Sequence, residues 1–438
     1  MNIAIVGAGW AGMAAAVTAV RAGHGATVFE ATRTAGGRAR AVLDHDDDGA
    51  PLTLDNGQHI LIGAYAECLR LMRAVGVEPG TALLRLPLAL VFPDGSGLAL
   101  PDLAPPWDAI AGILRARGWT ARERLALLRA AAAWRLRGFR CSPETSVARL
   151  CAGLPARLLH EFIEPLCVSA LNTPAQAASG AVFLRVLQDG LFSGRGGSNL
   201  LLPRVDLGAL FPARAAQWLA ERGHAVQWGR RVQAIAPMGA AAGTRWSVDG
   251  AQFDAVLLAT PSTEAARLVR GCAQSPHAGA LHAWADDAQA LAFTAIATVY
   301  AQADAQAVAR CLPLPMLALR QAADAPAQFV FDRGHLGGPA GLLAFVASAF
   351  EGERAALEAQ VLRQAQVQLG LPAPRIVQTV VEKRATFACT PGLRRPAARI
   401  APGLLACGDY VQGPYPATLE GAVRSGIEAA RAVAAGSE

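Results

Sequence analysis

The turn VGAGWAG at residues 6–12 constrains this chain more than any other stretch. Three glycines, Gly7, Gly9 and Gly12, separate the short apolar run 3–6 from the alanine-rich stretch 11–22. The run reads as a buried parallel strand and the stretch as a helix, so the glycines sit at a strand-to-helix turn. Gly7 permits the tight turn, Gly9 lets the backbone approach a pyrophosphate without a Cβ in the way, and Gly12 lets the helix pack on the strand. The unpaired amides at the positive end of the helix then face phosphate. A second strand at 26–29 ends at Glu30, where a carboxylate meets ribose hydroxyls. A lone GxGxxG is compatible with an ordinary glycine-rich turn; strand, helix and carboxylate in register predict a dinucleotide site.

The continuation ATRTAGGRARAV places Gly36, Gly37 and Arg38 shortly after the second strand. This resembles the second fingerprint of the FAD-containing amine oxidase and carotenoid desaturase superfamily, where the segment covers the flavin diphosphate. A third piece lies far along the chain in LLACGDYVQGPYPATLEGAVRSGIEAARAV, a strand at 403–407 followed by Gly408-Asp409, a Pro-rich turn and a helix from about Ala417. The resemblance implies FAD as cofactor. It also implies that Gly408 and Asp409 meet the ribityl and pyrophosphate groups, and that the last helix points its N-terminus, with Thr418, at the flavin. Such a dipole stabilises an anionic reduced flavin by ~0.3 to 1 kcal/mol. The run RRVQAIA (230–236) reads as the strand whose backbone pairs with adenine in that superfamily, which makes Val232 a contact candidate.

A chain of 438 residues exceeds one compact core, so two interleaved domains are expected. The reading is α/β: a Rossmann-like FAD-binding domain from 1–65, 226–264 and 385–438, with an interleaved α+β substrate domain from 66–225 and 265–384, the amine oxidase/phytoene desaturase-like arrangement. The first insertion reads as mostly helical. TRWSVDGAQFDAVLLATP (244–261) reads as a hairpin turning at Asp249-Gly250 and leading into a strand, and AGLLAFVASAF (340–350) as a strand entering a helix. The eight cysteines have no CxxC spacing and read as reduced, buried thiols of a cytosolic protein, with no metal site. The first strand begins too early for a signal peptide to precede it.

The net charge is +6, with a mean hydropathy of +0.29. No window reaches ~18 uninterrupted apolar residues, which argues against a spanning helix. The segment 108–141 mixes Leu, Ile and Trp with Arg115, Arg117, Arg122, Arg124, Arg129, Arg135, Arg137 and Arg140. It is either a peripheral contact with an anionic membrane or a solvated arginine face. No reader motif for nucleic acid accompanies the charge.

Three segments carry a closer resemblance: LTLDNGQHILIGAYAECLRLMRAVGV (52–77), EPLCVSALNTPAQAASGAVFLRVLQDGLF (164–192) and LLPRVDLGALFP (201–212). They resemble the hydroxysqualene dehydroxylases, which reduce hydroxysqualene to squalene in hopanoid precursor synthesis. The resemblance implies an apolar C30 isoprenoid substrate, hydride from reduced flavin N5, a separate electron donor, and an acid for the departing oxygen. His59 is the candidate acid, with a structural histidine as the alternative; Asp206 and Glu164 are weaker acid candidates. Asn172 and Thr173 are candidates for the substrate end. In the amine oxidases an aromatic residue stands two positions before the glutamate of the last helix. Here Thr418 precedes Leu419 and Glu420, so the cage for a cationic amine is missing. A carotenoid-type desaturase and a prenyl-lipid escort protein without redox chemistry remain the other two readings.

Overall fold

The computed structural model describes the chain except residues 46–48, 50, 239–244, 273–277, 373 and 436–438. Its centre is a six-stranded sheet in the order Ala225–Gln227, Gly25–Phe29, Asn2–Val6, Ala255–Leu258, Leu404–Ala406, Arg399–Ala401. The pairings from Ala225–Gln227 through Leu404–Ala406 are parallel. Strands from three distant parts of the chain thus meet side by side, with Asn2–Val6 between Gly25–Phe29 and Ala255–Leu258. Helix Trp10–Arg21 buries Met13, Ala14, Ala15, Ala16 and Val17 completely. Small side chains let the last helix, Leu419–Ala435, come close: a Cβ on Gly426 would lie 2.1 Å from the Ala11 carbonyl oxygen. The same core takes in Leu69 and Met72 together with Leu207, Phe211 and Ala215, from the stretch between the first two sheet segments.

A second, antiparallel sheet runs Met316–Ala318, Phe329–Asp332, Leu342–Phe350, Phe293–Gln302, Arg375–Phe387. One face packs against helices Ala305–Cys311 and Arg354–Leu369; the other joins the large core shared with the helical insertion. This is the expected pairing of a Rossmann-like domain with an interleaved α+β unit.

Two local expectations are corrected. The stretch 340–350 does not enter a helix: Leu342–Phe350 is strand throughout, paired on both sides, and the helix begins at Arg354. Its alanines favour a helix locally, but burial between two strands overrides that preference. Nor is 230–236 a strand; the strand is Ile235–Met238. Side chains take the backbone groups that a sheet partner would otherwise use. The Asp249 carboxylate accepts from the Gln233 and Ala234 amides (3.0 and 2.9 Å), and Arg267 donates to the Val232 and Gln233 carbonyls (both 2.9 Å). The hairpin expected over 244–261 has strands Arg245–Val248 and Ala251–Phe253 about the turn at Asp249-Gly250, leading into Ala255–Leu258, while Thr244 lies outside the described residues.

Candidate active site

Gly9 caps helix Trp10–Arg21 with no side-chain hydrogen bond, and no acidic residue stands in its first turn. The helix amides are therefore open to an anion. A Cβ on Gly9 would meet only the Gly36 carbonyl oxygen, 3.9 Å away, whereas one on Gly12 would lie 1.9 Å from the Gly7 oxygen. Gly7, at φ +113°, would drive a Cβ to 2.6 Å from the Ala259 oxygen. Gly7 and Gly12 are thus required by the fold, and Gly9 keeps a cradle open.

Glu30 is 9% exposed. Its Oε1 accepts from the Thr32 amide and hydroxyl (both 2.8 Å), while Oε2 accepts from the Ala8 amide at 2.7 Å. Oε2 keeps one lone pair, which suits a ribose hydroxyl. The open helix end, the cradle at Gly9 and this free acceptor fit a dinucleotide.

The second glycine segment lies against the first: Gly36 and Gly9 form a parallel bridge, and the Gly36 amide donates to the Ala8 carbonyl at 3.0 Å. From this loop Arg38 donates to Asp409 and, at 2.8 Å, to the Ala385 carbonyl. Gly408 donates its amide to the Ser425 hydroxyl at 3.1 Å. All three glycine-bearing pieces therefore converge on one place. Thr418 caps the last helix, its hydroxyl accepting from the Gly421 amide at 3.0 Å and donating to the Tyr415 carbonyl at 2.8 Å. Val232 is buried in the irregular stretch before Ile235–Met238.

Asn56 ties the DNGQH segment to the same loop, donating to the Arg38 carbonyl at 2.7 Å. His59 Nδ1 bonds the Gly57 carbonyl at 2.9 Å, and burial lowers its pKa below the usual imidazole value. With Nδ1–H as donor, the neutral ring has a free lone pair at Nε2. Glu382, on the long strand of the second sheet, adds a negative charge near His59 and Arg38.

The remaining sequence candidates hold structure. Asn172, at the left-handed end of helix Glu164–Leu171, donates to Thr294 Oγ1 (2.9 Å) and Thr386 Oγ1 (3.1 Å) and accepts from the Ala349 amide (2.6 Å). Thr173 Oγ1 donates to the Leu171 carbonyl at 2.9 Å and accepts from the Cys389 amide at 3.3 Å. Asp206 caps the helix Leu207–Leu210, and Glu164 accepts from the Ala175 amide.

Sequence reasoning missed Asp55. It is buried beside His59's segment, accepts from the Leu207 amide at 2.9 Å, and burial pushes its pKa up to about 6. Its neighbours include Tyr300, bonded to its backbone, and the buried Arg333, which donates to Gln58 at 3.0 Å. No local signal marks it, because these partners are far away in sequence. Among the described residues no cluster of three or more His, Cys, Asp or Glu could hold a metal, and all eight cysteines are free.

The family described as flavin containing amine oxidoreductase matches residues 10–434. A hydroxysqualene dehydroxylase of Rhodopseudomonas palustris is 28% identical, covering 99% of this chain and 98% of that protein. A ζ-carotene desaturase of Synechocystis is 39% identical over 83 residues, only 19% of this chain and 16% of its own length. An oxidoreductase structure from Methanosarcina mazei superposes with a TM-score of 0.71 at 16% identity, covering 99% of this chain and all of that one.

Proposed function

The chain belongs to the flavin-containing amine oxidoreductase family and is an FAD-dependent oxidoreductase, and from that premise we propose that it removes the hydroxyl of hydroxysqualene reductively, releasing squalene for hopanoid synthesis. The observation that carries this reading is the end-to-end likeness to the Rhodopseudomonas palustris hydroxysqualene dehydroxylase. The desaturase likeness covers about a fifth of the chain and supports the runner-up less.

Bound reduced FAD supplies a hydride to the carbon that carried the hydroxyl. The chain's own residues do the rest. Gly7, Gly9 and Gly12 place the helix amides at the pyrophosphate, and Glu30 takes the ribose hydroxyls. Gly36, Gly37 and Arg38 close over the diphosphate together with Gly408 and Asp409, while Val232 lies by the adenine and Thr418 holds the last helix toward the flavin. His59 handles the proton: Nε2 takes it from solvent and passes it to the departing oxygen, which leaves as water. Because burial lowers its pKa, the protonated ring is a stronger acid than free imidazole, and turnover rises as pH falls below the usual imidazole value. Asn172 and Thr173 shape the substrate wall through the strands they tie. A separate electron donor reloads the flavin. The protein is cytoplasmic and meets the inner face of the cell membrane, where an apolar C30 substrate resides; no helix among the described residues is long and apolar enough to cross it.

The test is anaerobic. Enzyme reduced chemically and mixed with hydroxysqualene in detergent micelles should reoxidise without oxygen and yield squalene, with one deuterium at the former carbinol carbon when run in heavy water. Flavin that stays reduced rejects the reading. Oxidised flavin bleached by phytoene assigns the desaturase instead.

A further inference from the structure

Helices Trp107–Arg115 and Ala121–Leu136 carry a surface unlike the rest of the molecule. On the longer helix Leu127 and Trp134 are buried, while Arg122, Leu125, Arg129, Ala132 and Leu136 are exposed. At about 100° per residue those five fall within roughly 80° of arc, facing away from the buried pair. Leu136 is 89% exposed and Leu125 46%; the shorter helix adds Trp107 at 63% and Leu114 at 52%. Among the described residues, five of the eleven exposed large hydrophobic ones lie between Leu103 and Leu136, a concentration that scattered surface leucines do not produce.

The charge is concentrated in the same stretch of chain. Residues 107–140 hold eight arginines and two carboxylates, a local excess of six positive charges that equals the net charge of the whole chain. Neither carboxylate neutralises the exposed stripe: Asp108 is buried, and Glu123 is tied into a capping box with Thr120. Elsewhere arginines pair with carboxylates, as in Arg231–Glu264, Arg245–Asp254 and Arg270–Asp286. Among the described residues Arg115, Arg117, Arg122, Arg129, Arg137 and Arg140 have no side-chain partner. A helix pair that presents leucine, tryptophan and unpaired guanidinium together is complementary to one surface: an apolar layer topped by anions.

We propose that this face docks on an anionic lipid bilayer. The leucines and Trp107 enter the boundary between headgroups and acyl chains, and the unpaired arginines meet lipid phosphates. The proposal rests on the peripheral membrane reading above and assigns it a place and a lipid charge.

The experiment sediments the holoenzyme with vesicles of neutral phosphatidylcholine or of phosphatidylcholine mixed with phosphatidylglycerol. Binding should favour the anionic vesicles and weaken with salt. Each arginine near the surface contributes roughly 5-fold, so Arg122→Ala, Arg129→Ala and Arg137→Ala combined should lower partitioning on the order of 100-fold. Leu125→Ser with Leu136→Ser should lower it at high salt as well. Flavin content and turnover in detergent micelles should stay unchanged in both variants. Equal binding to the two vesicle types, or a triple variant that sediments like the wild type, overturns the proposal. A lipid-free dimer that the leucine variant dissolves also overturns it and gives the face to a second copy. Turnover in micelles reports on the chemistry separately, so either reading can fail without the other.

Discussion

Replacing Gly9 or Gly12 by alanine should separate binding from folding. At Gly9 the backbone angles, φ −76° and ψ −178°, are open to alanine, and the new methyl would meet only the Gly36 oxygen at 3.9 Å. Alanine is a poorer helix cap than glycine by at most ~1 kcal/mol, and the stiffer unfolded chain returns ~0.4 to 1 kcal/mol. The apoprotein should therefore melt near the wild-type temperature. The same methyl occupies the cradle in front of the helix amides, and overpacking a close contact costs ~1 to 3 kcal/mol, a loss in FAD affinity of roughly 5- to 150-fold. Gly12→Ala acts differently. Its Cβ would lie 1.9 Å from the Gly7 oxygen and 3.0 Å from the Ala259 Cβ, both fixed groups, so the helix must move by about 1 Å. That damage of ~1 to 3 kcal/mol or more falls on the apoprotein itself. Thermal unfolding of both apoproteins, with FAD titration by flavin fluorescence, reads the two effects independently. A Gly9→Ala protein that binds FAD like the wild type, or melts as low as Gly12→Ala, refutes the assignment of the cradle.

Glu30→Gln should weaken FAD retention and lower the melting temperature of the apoprotein too, because the carboxylate accepts from Ala8 and Thr32 in addition to the ribose hydroxyls proposed for it. Charge-assisted bonds of this kind contribute ~1.5 to 3 kcal/mol, and unchanged flavin occupancy after dialysis would defeat the assignment. Asp55→Asn keeps the acceptor for Leu207 and removes a carboxyl whose pKa is raised by burial from 3.8 to about 6. A raised folded pKa gives stability that is full below the unfolded value and lost as pH rises through the folded one. The wild type should therefore lose up to about 3 kcal/mol relative to the variant between about pH 4 and 6. Denaturant titrations across that window that run parallel for the two proteins would show that Asp55 is not the group responsible.

How far a residue's partners lie along the chain decides whether its role can be read from sequence. The turn at Gly7, Gly9 and Gly12 is legible because its spacing and its strand-to-helix setting are contiguous in sequence, even though Cβ atoms on Gly7 and Gly9 would meet the distant Ala259 and Gly36. Asp55 is not, since its bonds run to Leu207 and Tyr300, 152 and 245 positions away. Asn172 shows the intermediate case. An asparagine ending a helix before Thr-Pro has the local chemistry of a left-handed cap, and the structure has it at φ +47°. Nothing local indicates that its amide also joins Thr294, Thr386 and Ala349, three strands of the second sheet. Val232 is a case of competition: the run 230–236 has strand composition, but Asp249 and Arg267 capture its backbone first. The residues proposed for the pyrophosphate and ribose, from Gly7 to Glu30, are thus the readable part of this site, because they lie in one continuous strand-helix-strand unit. Those that would meet the substrate come from several distant segments, and only the fold brings them together.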